Sequence, residues 1–419
     1  MSEVSWTRER IGALLKVRYG KALPKDQRDD SAPFPVLGSA GRMTGTAEPL
    51  AFDPVVVIGR KGNVGQVQLE TAGCWPIDTT YYAAIPQRLD ERFLTWQLRS
   101  LELGKLDSST ATPSLRREDL EAQEVLVPSL EEQRRIVAIL EDHLSRLDAA
   151  DSYLAAASRR LAALQDRLIR RAVTGADFGA GVATELPAVG TDDGLLPPLP
   201  ADWEWARLGD VADVAGGVTK DAKKQNDPSF VEVPYLRVAN VQRGHLNLDT
   251  VTTIRVPPAR AEALRLRRGD VLLNEGGDRD KLARGWVWDG QIDDCIHQNH
   301  VFRARITDAR LTPEFLSFTA NSFGGPWAER NGKQSVNLAS ISLKVIRQMP
   351  VIVPARGEAE AAVSRLTEQL AGTARLRAGI DVARARCTAL RRSLLAAAFS
   401  GRLTGSSTEM SVVEGRIEA

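Results

Sequence analysis

The side chains of this chain that are best suited to catalysis do not form a recognisable set. A metal-dependent nuclease needs an acid-x-Lys step and a further acidic residue to hold a cation and position water. Asp221-Ala222-Lys223 is such a step, but it has no convincing acidic partner upstream. The four scattered histidines suggest no Ser-His-Asp arrangement. A methyltransferase cofactor loop with an Asn/Asp-Pro-Pro-aromatic motif does not occur in the sequence. The residues therefore predict a non-catalytic chain.

A metal site is also disfavoured by the number of available ligands. Cys295, His297 and His300 lie close together in the sequence, whereas the equivalent place in the first half offers only Cys74 and Asp78. A metal site needs three or four ligands in suitable geometry. We therefore expect no bound metal, and we expect these side chains to be packed or to make polar contacts.

Glycines, cations and amides follow a strand-like run in the first half. Residues 54–58 (Pro-Val-Val-Val-Ile) lead into residues 59–65 (Gly-Arg-Lys-Gly-Asn-Val-Gly), and residues 274–281 are their counterpart in the second half. Arg and Lys suit guanine, Asn and Gln suit adenine, and free N–H groups near glycines suit phosphate. An ordinary glycine-rich turn between strands is the alternative. The terminal Gly-Lys-Ser/Thr of a nucleotide-binding loop is missing.

The elements that position these loops occur twice. Residues 109–179 align with residues 335–405 at a constant offset of 226 without a gap. Residues 125–128 (Val-Leu-Val-Pro) fall on residues 351–354 (Val-Ile-Val-Pro). The preceding blocks are also similar, since Arg10-Ile11-Gly12 matches Arg207-Leu208-Gly209, but their spacing differs. A repeat of this kind predicts a pseudo-two-fold molecule with a fixed frame and two diverged globular blocks.

Heptad spacing predicts that the gapless part of each copy is a long helix. The expected pairing residues recur along two seams, and they are Leu140, Leu147, Leu154, Leu161, Leu168, Leu366, Ile380, Leu390 and Leu394. Both helices begin acidic and end basic, which favours antiparallel pairing. The alternative is a plain helical bundle with solvated charges. Helices of this length would span on the order of 60 Å.

Three features together resemble the specificity (S) subunit of a Type I restriction–modification system (HsdS family). Residues 125–136 (Val-Leu-Val-Pro-Ser-Leu-Glu-Glu-Gln-Arg-Arg-Ile) are similar to the family's strand, Pro and Pro-Leu-x-Glu-Gln start of its central helix. Thr174-Gly175 resembles the end of that helix, and residues 199–210 resemble the beginning of a second recognition domain. The second copy departs from the pattern with Arg356-Gly357-Glu358.

The resemblance implies an α+β fold with two similar mixed α/β target-recognition domains. Two long helices would separate them and pair as an antiparallel coiled coil, in a pseudo-two-fold symmetric molecule. The expected organisation is a first target-recognition domain at 1–128, a first spacer helix at 129–176, a linker at 177–200, a second target-recognition domain at 201–354, a second spacer helix at 355–405 and a disordered tail at 406–419.

The resemblance also implies that each domain binds one half of a split site in double-stranded DNA. Two methyltransferase (M) subunits would dock on the helices, at the same residues that are expected to pair them, and bring S-adenosylmethionine. Two restriction (R) subunits, where present, would add ATP and Mg. No cofactor is expected on this chain. Candidate DNA-binding residues, chosen for donors and cations in the polar loops, are Arg60, Lys61, Asn63, Lys105, Ser109, Lys220, Lys223, Lys224, Arg237, Asn240, Gln242, Arg279, Lys281, Gln298, His300, Lys333, Gln334 and Ser335.

Composition sets broad limits on these expectations. The 419 residues allow two or three domains, and a net charge of +1 argues neither for nor against nucleic acid. Three scattered cysteines and the lack of a membrane-length apolar run favour the cytoplasm and no membrane. The alternatives to DNA recognition are a non-catalytic protein scaffold and, with less support, a metal-dependent nuclease.

Overall fold

The computed structural model describes residues 6–107, 113–221, 223, 225–277, 281–334 and 339–404. The chain divides into two compact units, and each unit contains part of both long helices. Unit 1 comprises Met1–Ala156 and Ile380–Ala419, and unit 2 comprises Ala157–Gly379. The predicted tail at 406–419 lies outside the described residues. Among the described residues, no helix combines the length and the apolar character that a membrane span requires.

Unit 1 is built from short strands and helices, followed by the first long helix. Its strands are β1 (Thr7–Arg10), β2 (Arg18–Tyr19), β3 (Phe34–Gly38), β4 (Gly41–Thr46), β5 (Val55–Gly59), β6 (Val67–Glu70), β7 (Trp75–Pro76), β8 (Thr80–Ala84) and β9 (Glu124–Val127). Its helices are α1 (Ile11–Leu14), α2 (Glu91–Ser100) and α3 (Arg117–Glu121), with 3-10 turns at Lys25–Gln27 and Leu103–Leu106. The long helix α4 (Leu130–Val173) continues into unit 2 and is shorter at both ends than the predicted 129–176.

Unit 2 contains the same kinds of element and the second long helix. Its strands are β10 (Glu204–Arg207), β11 (Ala212–Gly216), β12 (Val231–Leu236), β13 (Val241–Gln242), β14 (His245–Leu246), β15 (Thr252–Val256), β16 (Val271–Asn274), β17 (Gly276–Gly277), β18 (Gly285–Val287), β19 (Ile296–His297), β20 (Val301–Ile306), β21 (Lys333–Gln334), β22 (Ala339–Ser340) and β23 (Pro350–Val353). Its helices are α5 (Leu208–Val211), α6 (Pro258–Leu264), α7 (Pro313–Thr319), α8 (Gly325–Asn331) and α9 (Leu343–Ile346), and a π-helical turn spans Ala320–Gly324. The long helix α10 (Glu358–Phe399) begins here, inside the predicted 355–405.

The two units repeat one strand topology. The orders β2-β8-β5-β6, β4-β3-β7 and β1-β9 in unit 1 correspond to β11-β20-β16-β18, β15-β12-β19 and β10-β23 in unit 2. Even the exceptional parallel pair is repeated, because β3–β7 and β12–β19 both run parallel. The fragmentary similarity of the two globular blocks therefore reflects a shared fold. Within the described residues, unit 2 adds the small sheets β13-β14 and β17-β22-β21.

Continuous apolar runs place the central strand of each main sheet in the core. All five residues of β5 (Val55–Gly59) and all four of β16 (Val271–Asn274) are buried. Both strands lie between two neighbours in their sheets, and strands that are covered on both faces are typically apolar throughout. Because each strand is buried up to its last residue, the start of the loop that follows it has a fixed position in the fold.

The long helices pair antiparallel within each unit. In unit 1, Arg391 near the end of α10 contacts Asp148 in the first half of α4, with 2.5 Å between Nη2 and Oδ1. In unit 2, Gln165 in the second half of α4 donates to Thr373 in the first half of α10, at 2.8 Å. The predicted α+β fold with an antiparallel helix pair is confirmed.

The end of each long helix packs on a tryptophan that precedes the first strand pair of its unit. Gly175 follows α4 with a φ of +69°, and a Cβ there would lie 2.9 Å from Trp203. Gly401 follows α10 with a φ of +79°, and a Cβ there would lie 3.5 Å from Trp6. Both helices end at a glycine because the backbone there is left-handed, a conformation that is strained for residues with a Cβ atom.

Candidate nucleic-acid interface

The loop that follows β5 is joined to the segment that precedes α3. The amides of Arg60 and Lys61 donate to the carbonyl oxygen of Thr79 at 2.9 and 3.1 Å, and the amide of Leu115 donates to that of Arg60 at 2.9 Å. Lys61 also forms a β-bridge with Ser114. We call this arrangement of residues 60–61, 79 and 114–115 the first junction.

Unit 2 contains the same backbone arrangement after β16. The amide of Glu275 donates to the carbonyl oxygen of His300 at 3.0 Å, and the amide of Ile341 donates to that of Glu275 at 2.9 Å. Gly276 pairs with Ser340. We call residues 275–276, 300 and 340–341 the second junction. Residues 114–115 and 340–341 are related by the offset of the gapless repeat. Equivalent residues of the repeated frame therefore contact the loop in both junctions.

Arg60 is a cation of the first junction with defined side-chain contacts. Its Nη1 donates to the carbonyl oxygen of Asp78 at 3.0 Å. Its guanidinium lies over the ring of Tyr19, 5.1 Å from the centroid, and 5.9 Å from that of Tyr81. The hydroxyl of Tyr81 donates to the carbonyl oxygen of Leu115 at 3.0 Å, and burial raises the pKa of this tyrosine to about 12. Arg60 is therefore held between an aromatic floor and a carbonyl.

Two of the other predicted residues of unit 1, Asn63 and Lys105, lie around a shallow depression. Its lining is formed by residues 63–66 and residues 102–105. Asn63 and Lys105 are part of that lining, whereas Lys61 is exposed at the junction itself. Gly65 permits the close approach, because a Cβ there would lie 2.5 Å from the amide nitrogen of Gly104. Ser109 lies outside the described residues.

A carboxylate occupies the second junction where the first has a guanidinium. The Oε2 atom of Glu275 lies 3.1 Å from Nδ1 of His300, and these side chains are 22% and 53% exposed. Gln298 is half-buried two residues before His300, and Lys333 is exposed. Strand β21, which contains Lys333, belongs to the same small sheet as Gly276. The fold thus brings Gln298, His300 and Lys333 to the region of one junction.

Asn240 is a wrong prediction, because burial removes its side chain from solution. It is 3% exposed. Its Nδ2 donates to the carbonyl oxygens of Asn247 and Thr250, and its Oδ1 accepts the amide of Arg237. These bonds satisfy the whole amide group inside a turn. Asn240 therefore stabilises the turn and has no donor left for a base.

The remaining predicted residues of unit 2 have mixed surroundings. Lys220 and Lys223 are exposed in the loop after β11, and Arg237 is half-buried. Gln242 donates its Nε2 to the carbonyl oxygen of Ala239 at 2.7 Å. Lys281 has interaction partners of its own. Lys224, Arg279 and Ser335 lie outside the described residues, as does the side chain of Gln334.

The predicted pairing leucines all lie on the helix pair, at least partly buried. Leu140, Leu161, Leu366 and Leu394 are buried. The half-buried ones are Leu147, Leu154, Leu168, Ile380 and Leu390. In unit 1, Leu140 and Leu394 belong to one apolar cluster. In unit 2, Leu366 belongs to the main apolar cluster and Leu168 packs against it.

Gln133 is an important residue whose structural role the sequence did not indicate. It is 0% exposed in the first turn of α4. Its Nε2 donates to the carbonyl oxygens of Arg88 and Pro128, and its Oε1 accepts the amide of Asp90 at 2.7 Å. Gln133 therefore ties the beginning of α4 to the globular part of unit 1. The only sequence feature that could have indicated this role is a glutamine within the Leu-Glu-Glu-Gln run at the start of the helix.

The cysteine and histidines considered as metal ligands do not converge. His297 is fully buried, with its Nδ1 2.6 Å from the carbonyl oxygen of Val301. Burial lowers the pKa of His297 to about 4 and raises the pKa of the Cys295 thiol to about 12. In the described parts of the chain, no group of three or more His, Cys, Asp or Glu residues is arranged to hold a metal ion.

Comparison with known proteins shows what this chain is similar to. Residues 3–151 match the family model described as Type I restriction modification DNA specificity domain. The EcoDI specificity subunit of Escherichia coli is 22% identical over 417 residues, which cover 96% of this chain and 89% of that protein. The EcoKI specificity subunit of Escherichia coli K12 is 26% identical over 188 residues, 44% of this chain and 40% of that protein. The comparisons thus show similarity to type I specificity subunits along nearly the whole chain and a match to their domain model in its first part.

Solved structures agree in fold. A chain from a study of complex assembly and conformational transition of the type I R-M system has a TM-score of 0.69 and 19% identity. The alignment covers 96% of this chain and 100% of that chain. The HsdS subunit from Thermoanaerobacter tengcongensis has a TM-score of 0.51 and 19% identity, with 95% of this chain and 97% of that chain covered. These two solved structures therefore support the fold of this chain.

Proposed function

We propose that this chain recognises a bipartite target in double-stranded DNA, with one half of the target bound by each unit. The observation that carries the proposal is the repetition of one strand topology with different side chains at equivalent junctions. A single fold used twice suits two related tasks, and different loop residues suit two different base sequences. The similarity to type I DNA specificity subunits supports DNA as the ligand.

We further propose that two methyltransferase subunits dock on the helix pair and that restriction subunits join through them. S-adenosylmethionine would then be bound by the modification subunits, and ATP with Mg by the restriction subunits. The complex would methylate adenine or cleave DNA in the cytoplasm. This chain would recognise the target sequence and provide the docking surface.

The docking surface is expected at apolar side chains that helix pairing leaves exposed. In unit 2, Leu164 is 41% exposed and Leu376 is 60% exposed. Leu164 precedes Gln165, and the partner of Gln165 is Thr373, three residues before Leu376. The two leucines therefore lie near the same level of the helix pair. Tyr153 and Val382, which are 77% and 53% exposed, are the corresponding candidates in unit 1.

Replacing Leu376 by Glu tests the docking proposal. Because the side chain is largely exposed, we expect the chain to remain folded while methyltransferase binding weakens at least tenfold, as is common when an apolar anchor is lost. Analytical size-exclusion chromatography of the mixed subunits measures the association. Arg377→Glu is the matched control on the same exposed stretch. Equal association of both variants and the wild type would contradict docking at this surface.

Sequence selection by the full chain with its methyltransferase partner tests DNA recognition directly. In gel shifts on random duplexes, we expect enrichment of one split site and a steep fall of affinity with salt, because phosphate contacts release counterions. Lys61→Gln should reduce the slope of log affinity against log salt by about one. Lys16→Gln, an exposed lysine away from the junction, should not. Binding without any sequence preference would overturn the proposal and favour a protein scaffold.

A further inference from the structure

We infer that Arg60 and Glu275 are equivalent specificity-determining residues that select bases of opposite hydrogen-bonding character in the two half-sites. The inference rests on the proposed recognition of a split DNA site. It goes further by assigning one residue in each unit and the kind of base that each selects: a base with acceptors for Arg60 and a base with an amino donor for Glu275.

The equivalence of the two residues is given by backbone hydrogen bonds. Each residue directly follows the central strand of its sheet, β5 or β16. Its amide donates to the segment before β8 or β20, at 2.9 Å from Arg60 and 3.0 Å from Glu275. Its carbonyl oxygen accepts the amide of Leu115 or Ile341, at 2.9 Å in both cases. The two side chains therefore start from the same point of the fold.

The neighbours of the two side chains differ in a way that matches their charge. Tyr19, which pairs with Tyr81, provides the ring beneath Arg60. Gly216, which pairs with Phe302 in the corresponding strands, takes the place of Tyr19 in unit 2. A ring face attracts a cation and would not favour a carboxylate. Glu275 instead has the imidazole of His300, where unit 1 has Thr79.

These environments leave both side chains able to contact a base edge. The guanidinium of Arg60 donates to the carbonyl oxygen of Asp78 and interacts with the hydroxyl of Tyr81, and its five N–H donors give it capacity for a base as well. Within the described residues, the carboxylate of Glu275 has a hydrogen bond to Oε2 only, from His300. Arginine suits the O6 and N7 acceptors of guanine, and glutamate accepts from the N4 amino group of cytosine. We therefore assign a guanine to the half-site of unit 1 and a cytosine to that of unit 2.

An ordinary surface ion pair between Glu275 and His300 is the competing explanation. It accounts for the contact, but it gives no reason for the opposite charge at the same backbone position in unit 1. It also predicts no effect on base preference when Glu275 is changed. The two explanations therefore differ in a measurable way.

The test selects duplexes from a library with two randomised windows, using the full chain with its methyltransferase partner. Glu275→Gln replaces an acceptor by an amide that suits adenine. We expect one position of one half-site to lose its preference for cytosine by roughly tenfold or more, with adenine favoured. Arg60→Gln should change a guanine position in the other half-site in the same way. Glu262→Gln, an exposed carboxylate change elsewhere in unit 2, is the matched control.

Each variant contains its own folding control, because the unaltered unit should still select its original half-site. A wild-type split motif that both variants retain unchanged would overturn the inference and leave the proposed function standing. Changes in both half-sites at once from either variant would also overturn it. A wild-type protein that selects no motif would overturn the proposed function together with the inference.

Discussion

His297 is a buried ionisable residue whose surroundings suppress its protonation. Desolvation lowers its pKa to about 4, the hydrogen bond to Val301 opposes that shift, and the charge of Arg303 adds to it. In the unfolded chain the same imidazole would titrate near pH 6.5. Between pH 6.5 and 4 the unfolded state therefore binds a proton that the folded state does not, and stability falls as the pH is lowered.

We predict that unit 2 loses roughly 3 kcal/mol of unfolding free energy between pH 6.5 and pH 4 through His297 alone. Urea unfolding, followed by tryptophan fluorescence at several pH values, measures this loss. His297→Asn should remove the dependence in that window, whatever its effect on stability at neutral pH. His245→Asn, at an exposed position, should retain it. Identical pH profiles for the two variants would contradict the explanation.

Burial distinguishes two residues that the sequence assigned to the same role. Asn240 and Arg60 are both polar residues in loops after strands, and the sequence assigned both to DNA. In the structure Asn240 closes a turn with all its polar atoms occupied, whereas Arg60 is held at a junction with donors remaining. Residue type predicts what a side chain can bind. It does not predict whether the fold uses that capacity internally.

At the scale of elements, the two copies of the frame begin their long helices differently. Gln133 makes three buried hydrogen bonds at the start of α4. The position 226 residues later is Ala359, which is also buried. There, Glu358 accepts a hydrogen bond from Nε1 of Trp203. The departure of the second copy from the family pattern is thus accompanied by a different attachment of the helix.

We predict that Gln133→Ala destabilises unit 1 by roughly 3 kcal/mol, because it leaves several buried backbone groups without partners. Chemical denaturation measures the change. Gln369→Ala, at an exposed position of α10, should remain within about 0.5 kcal/mol of the wild type. Equal stability of the two variants would show that the bonds of Gln133 do not fix the helix.

The polar contact between Gln165 and Thr373 gives a prediction for the helix pair itself. Thr373 is 4% exposed, and the bond to Gln165 is 2.8 Å long. We expect Gln165→Leu and Thr373→Val each to destabilise unit 2 by roughly 1 kcal/mol, since each removes the hydrogen bond between the two helices, although Thr373 also donates to the carbonyl oxygen of Leu370. The double variant should recover most of the loss. A double-mutant cycle with no coupling energy would contradict a role for this pair.

The elements were more predictable than the loops for a physical reason. Heptad spacing follows directly from helix geometry, so the two seams and their antiparallel pairing could be read from leucines and charges. The loops that carry Lys61 and Gly276 obey no such period. Their equivalence became visible only through the shared bonds to residues 114–115 and 340–341. Insertions between anchors had hidden it from a fixed-offset comparison.

At the scale of the whole molecule, one strand topology occurs twice in a single chain, but the side chains at the two junctions differ. The frame that repeats without a gap fixes the segments on which each junction closes. The residues placed on that frame, Arg60 in unit 1 and Glu275 in unit 2, have opposite charge. A homodimer of identical readers would recognise two identical half-sites, whereas this chain is expected to recognise two different ones.

The most direct measurement of the central claim is the DNA methylation pattern of cells that carry this chain with its methyltransferase subunit. Genome-wide sequencing should be compared with the same cells lacking the gene for this chain. The account predicts one adenine-methylated motif that depends on the chain, made of two different half-sites separated by a constant number of unspecified bases. A contiguous motif, two identical half-sites or no dependent motif would contradict it.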